Sequence, residues 1–308
     1  MTASVPLPGL ERKSTTRANW LGRYLAVEHK FDDEIKKALN SAAIDTEKRI
    51  VATVGDESVG VKTRRLQMSL ARTQVRSTMT GLFGDIAGKI RSFRGVAAQA
   101  AVDAALFDEL PLLSRFFKSP SQREEYQNVL RQSANRNVEA TITRVVGISK
   151  MPLSKRVYRT EALAKGYVDT AINNALSRGD SAKDLAKAVR GLIDPNVPGG
   201  VSYAAMRLGR TEINNAFHAQ SIKDAQDKPW VNNMIWHLSK VHSSDPKDLC
   251  EAYALQGLFP INHVPNKPHP QCRCYVTPEL EGYNNFEQKL IGGQYDSYLD
   301  SILDAAGA

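Results

Sequence analysis

No stretch of eighteen apolar residues occurs in this 308-residue chain, so the sequence predicts no membrane-spanning helix. Its first residues, MTASVPLPGLERKSTTR, have no apolar core of the kind a secretory signal needs. Cysteine is scarce. Three are present, two of them one residue apart, which is a poor disulfide framework and points to a reducing compartment, the cytoplasm of the cell that makes the chain. The common catalytic signatures are also missing: no GxxxxGKS/T phosphate loop, HExxH, GxSxG elbow or GxGxxG after a strand. Neither a helix-turn-helix nor a zinc-finger pattern accompanies the basic residues, and no repeat at solenoid periods is found.

What is present is an ordinary globular composition, 42% hydrophobic and 24% charged, over a length that accommodates two domains and a sizeable core. The net charge of +8 is unevenly placed: residues 1–199 carry 32 Lys and Arg against 21 Asp and Glu, residues 200–308 carry 9 against 12. A basic half suits a polyanion such as nucleic acid, or an acidic protein; a solvated helix surface is the plainer alternative. The excess is densest from Lys62 to Arg94, where eight basic residues meet one acid, Asp85. On a helix, Lys62, Arg65, Arg72 and Arg76 fall within a stripe of ~80° at about 100° per residue. Such a stripe could follow a phosphate backbone without reading sequence, and binding would weaken steeply with salt.

Residues 1–17 read as a flexible arm, with Pro6, Pro8 and Gly9. Residues 18–195 read as a helical domain. Apolar spacing predicts helices over 18–53 and 61–110, the second holding Gly81, Gly84, Gly88 and Gly95, which points to kinks or close packing. Ser121 and Glu124 suggest a capping box opening a helix to about 145. A further helix spans 155–177, Gly179 caps it, and an amphipathic helix covers 182–193. DPNVPGG, residues 194–200, is a linker. After it come a helix over 203–225, a strand near Trp230–Leu238, a short helix near 249–255 and a closing strand at 274–277, forming an α+β domain over 200–280. A single helix, 285–306, fills most of a terminal segment over 281–308. The expected fold is mainly α, a long helical N-terminal half followed by a small α+β C-terminal domain.

The soft ligand atoms gather near the C-terminus. Cys250, His269, Cys272 and Cys274 are spaced C-x18-H-x2-C-x-C, the ligand count of a closed tetrahedral zinc site, with His242 or His263 as substitutes. A proline-rich loop with few apolar residues gains its order poorly from burial, and a metal would supply it. The alternative is reduced core cysteines, with His269 capping a turn or pairing with a carboxylate. Upstream, Arg210, Thr211 and Glu212 lie on a helix. Arg210 and Glu212 are two residues apart and so face different partners, expected to be Asp245 for Arg210 and Arg273 for Glu212. Trp230 and Trp236 are expected in the core.

The ordered set Arg210-Thr211-Glu212, Trp236, Asp245, Cys250, HPQCRC over 269–274 and Pro278 resembles the phage head-morphogenesis family, the MuF-like minor capsid proteins. The resemblance covers about residues 155–280. One departure is that Cys250 is followed by Glu251, Ala252 and Tyr253, where family members often carry C-x2-C. The resemblance implies a non-enzymatic minor head protein of a tailed phage or prophage, found in the virion and, during assembly, in the host cytoplasm. Its implied partners are a portal, scaffold or major capsid protein, and packaged DNA for the basic half. From another class, the Cys/His ligands with Glu212 or Asp245 as base would make a zinc-dependent hydrolase or nuclease.

Overall fold

A computed structural model describes residues 8–55, 60–146, 153–197, 200–240 and 248–307. Among these the architecture is mainly α, with nine α-helices and one three-stranded antiparallel sheet near the C-terminus. The helices are α1 (Pro8–Val54), α2 (Val61–Glu109), α3 (Pro120–Val146), α4 (Leu153–Arg178), α5 (Ala182–Ile193), α6 (Gly200–Asp227), α7 (Cys250–Gln256), α8 (Tyr283–Ile291) and α9 (Asp296–Gly307). The strands are β1 (Val231–His237), β2 (Leu258–Pro260) and β3 (Tyr275–Leu280).

Local chemistry sets most of these boundaries. Ser181 caps α5, its hydroxyl accepting the Asp184 N–H at 3.1 Å, and Gly179 takes φ +73° after α4. The α3 cap falls at Ser119 instead of Ser121: the Ser119 hydroxyl accepts the Gln122 N–H at 3.2 Å, and Pro120 occupies the first turn, where its missing N–H is harmless. The second half of the expected arm is helical, since α1 begins at Pro8; residues 1–7 lie outside the described residues. Helix α2 runs unbroken through its four glycines. Only Gly95 is closely approached, with a Cβ there meeting Asn135 Oδ1 at 2.4 Å. The single terminal helix expected over 285–306 is two helices, because Gly292 and Gly293 end α8 and Gly293 adopts φ +73°.

The chain forms two compact units, and they do not follow the linear division expected at residues 195–200. One comprises residues 1–28, 93–148 and 211–308; the other comprises 29–92 and 149–210. The second unit is all-helical. It buries Phe31, Ile35 and Leu39 of α1, Val75, Phe83 and Ile86 of α2, Val168 and Ile172 of α4, and Leu185 and Val189 of α5. There α6 lies against α1 so tightly that a Cβ on Gly209 would stand 2.0 Å from Phe31 Cζ.

The first unit carries the sheet, ordered β2-β1-β3, with Met234 opposite Phe259 on one side and Trp236 opposite Val276 on the other. Its core joins Ala98, Val102 and Leu106 of α2, Tyr126 of α3 and Ile222 of α6 to the sheet and the terminal helices. Both tryptophans lie in this core, as expected. Trp230 packs edge-on against Phe286, Tyr295 and Tyr298, and Trp236 against Tyr253 and His218. One charge cluster is buried with them: Lys228 reaches both Glu109 and Asp224.

Candidate functional site

The HPQCRC segment leads into β3, and almost every residue of it is separately anchored within the first unit. His269 Nδ1 lies 2.9 Å from the Pro270 carbonyl. Gln271 takes the left-handed conformation, φ +59°, and donates its N–H to Thr211 Oγ1 at 3.2 Å. Cys272 Sγ is 3.5 Å from Cys250 Sγ, at the start of α7. Arg273 donates to Glu28 Oε1 from Nε at 2.9 Å and from Nη2, and the same carboxylate accepts the Tyr24 hydroxyl at 2.6 Å. Cys274 Sγ accepts the Ser239 N–H at 3.4 Å. Farther back, His218 Nε2 is 3.1 Å from the Pro265 carbonyl, and Lys267 Nζ sits 5.6 Å from the centre of the Trp236 ring.

The ligating atoms expected from the sequence fall in two overlapping groups. Sγ of Cys250, Cys272 and Cys274 lie within 4.8 Å of one another, all three residues buried and unbridged. A second triad shares Cys250: its Sγ, His269 Nε2 and one Asp248 carboxylate oxygen are also mutually within 4.8 Å. Within it Cys250 Sγ is 3.4 Å from His269 Nε2, and Asp248 Oδ2 is 3.2 Å from the same nitrogen. Asp248 also accepts the Cys250 N–H through Oδ1 at 3.0 Å, fixing the carboxylate beside the start of α7. His263, the offered substitute, is exposed and belongs to neither group; His242 and Asp245 lie outside the described residues.

Proton affinities in the cluster are split. The hydrogen bond from Cys274 draws the Cys272 thiol down to about 5, helped by the Lys267 ammonium against the effect of burial. Its partner Cys274 is pushed up, first by that same bond and then by burial, and Cys250 is pushed up by burial and by Cys272. One thiolate is thus shared among three sulfurs, the form a soft cation would meet. Burial, with Lys267 adding to it, holds His218 well below the usual imidazole range, so it is neutral at physiological pH.

Arg210, Thr211 and Glu212 reach three different partners. In the second unit Arg210 grips Asp32 with Nε at 2.9 Å and Nη2 at 2.6 Å. In the first, Thr211 holds the loop at Gln271, and buried Glu212 lies 3.6 Å from buried Arg94, which also pairs with Glu139. The expected Glu212–Arg273 pair is therefore not formed. Arg273 goes instead to Glu28, on α1 and far away in sequence, a partner that spacing along the chain could not indicate. Asp248 was also missed, although an acid two residues before a candidate ligand at a helix start was a usable signal. Lys267, Glu28, Asp32 and Arg94 carried no local signal.

The basic stripe on α2 is partly consumed inside the second unit. Arg72 and Arg76 both pair with Asp169, at 3.6 and 2.8 Å, while Lys62 and Arg65 are exposed. Among the described residues no helix is long and apolar enough to cross a membrane. No family model, curated protein or solved structure matches the chain.

Proposed function

We propose that this chain is a minor head protein of a tailed phage or prophage, a binding component of head assembly near the portal that catalyses no reaction. The observation that carries the reading is the use made of the residues on which the resemblance rests. Thr211 ties down Gln271, Arg273 engages buried Glu28, and Trp236 lies in the core, so the segment acts as a clasp that gives the C-terminal part a fixed shape. Glu212, one of the two bases offered for a hydrolase, is enclosed beside Arg94 with its side chain 1% exposed, which favours a structural role for it. Portal, scaffold and major capsid proteins are the proposed partners. Exposed Lys62 and Arg65 are the residues of the stripe left for a sequence-independent contact with packaged DNA.

The test is co-expression with the portal, scaffold and major capsid proteins of the same genome, followed by purification of the assembled heads. The chain should sediment with them in a few copies per head, and Thr211→Val should reduce its incorporation. Heads that form normally without ever retaining the chain would refute the proposal.

A further inference from the structure

We propose that Cys250, Cys272, Cys274 and His269 form a structural zinc site, with the Pro270 carbonyl orienting the imidazole and Asp248 as a buried anion beside the ion. Tetrahedral geometry sets the distances to expect. With Zn–S near 2.3 Å and Zn–N near 2.0–2.1 Å, ligand sulfurs stand about 3.8 Å apart and a sulfur–nitrogen pair about 3.5 Å. The Cys250–Cys272 separation is 3.5 Å and the Cys250–His269 separation is 3.4 Å. These two separations, both from Cys250, fit ligands around a shared ion and are well beyond the ~2.05 Å of a disulfide bond. The four donors fall in two triads that share Cys250, so binding requires His269 to close on Cys272 and Cys274.

An independent observation comes from the oxygen and nitrogen atoms. With its Nδ1 proton given to the Pro270 carbonyl, a neutral His269 presents a bare lone pair at Nε2. Asp248 Oδ2 faces that lone pair at 3.2 Å; its side chain is 5% exposed, and this oxygen accepts no hydrogen bond. A proton shared between them satisfies two acceptors so placed, and so does a cation bound between or beside them. The surroundings suit a thiolate-bound ion: the Ser239 N–H points at Cys274 Sγ, the kind of outer hydrogen bond that holds a ligating sulfur, and Lys267 lies close enough to offset surplus thiolate charge. Thiolate and imidazole donors select zinc over magnesium or calcium, which require oxygen ligands.

The site would staple the end of β1, the start of α7 and the start of β3. It stands whether or not the chain is a head protein, and its test needs no head assembly. The full-length chain, expressed with zinc and purified without chelator, should contain one zinc per chain. Cobalt exchanged into it should show the charge-transfer absorption of three thiolates and the visible bands of a tetrahedral ion. Cys250→Ser and Cys272→Ser should lose the metal, whereas Asp248→Asn should retain it with weaker affinity and stay folded, keeping a result available if the cysteine variants do not fold. His269→Ala should change the cobalt visible bands while leaving the sulfur absorption in place. Wild-type protein without zinc, with a melting temperature indifferent to chelator, would overturn the proposal. So would a mass lower by two hydrogens, marking a Cys250–Cys272 disulfide, or zinc retained by the doubly substituted Cys250→Ser/Cys272→Ser chain.

Discussion

Replacing Arg273 by alanine tests whether the HPQCRC segment is a clasp. The Glu28 side chain is 1% exposed, so truncation leaves a carboxylate enclosed without its cation. Removing one partner from a fully buried pair costs about 3–5 kcal/mol. Two features reduce that here. The Arg273 side chain keeps 28% of its surface in water, which screens the pair, and the Tyr24 hydroxyl still donates to Glu28 at 2.6 Å. A loss of about 2–3 kcal/mol is expected. Arg273→Lys keeps the charge and forfeits the two-point grip, for a loss of about 1 kcal/mol. Tyr24→Phe alone should cost about 1.5 kcal/mol, and combined with Arg273→Ala it should cost more than the sum, because Glu28 then loses both partners. The assay is urea unfolding followed by tryptophan fluorescence. It is specific, since all three tryptophans, Trp20, Trp230 and Trp236, belong to the first unit. An Arg273→Ala midpoint equal to wild type, or strict additivity in the double variant, would refute the clasp.

Lys228→Met strands Glu109 and Asp224 in the core and should cost about 3–5 kcal/mol at pH 8. Burial, opposed by Lys228, already raises Glu109 to about 7, so between the unfolded value near 4.5 and 7 the folded chain holds a proton that the unfolded chain lacks. This group therefore adds stability as pH falls from 8 toward 5; in Lys228→Met the gain should be steeper, and a urea-measured deficit that stays constant with pH would contradict the assignment. Gly209→Ala drives a methyl group into the Phe31 ring and should destabilise the second unit by about 1–3 kcal/mol, read by far-UV circular dichroism. Phe31→Leu in the same chain should recover part of that loss, and its failure to do so would place the strain elsewhere.

The elements that could be read from the sequence are those whose determinants are local. Gly179 ends its helix as expected, and Ser181 caps the next, because a left-handed glycine and a hydroxyl act within four residues. Cys250, Cys272 and Cys274 were legible as a group because cysteine is rare in this chain, whereas His269 joins Cys250 in a second group with Asp248. Ion-pair partners were not legible. Glu212 and Arg273 are both long-reaching charged side chains, and nothing along the chain says that Arg94 and Glu28 will take them. The division into units was missed for a related reason: α1, α2 and α6 each pass from one unit to the other, and the point where each changes its companions leaves no mark in the periodicity.

That discontinuity has a practical consequence for anyone moving this fold between proteins. A fragment spanning 200–308 keeps Trp230, Trp236 and the cysteines but omits Ala98, Val102, Leu106 and Tyr126, which close the same core. It would expose that apolar floor and precipitate. Portability requires the earlier segments as well, so recombination that exchanged only the tail would be selected against.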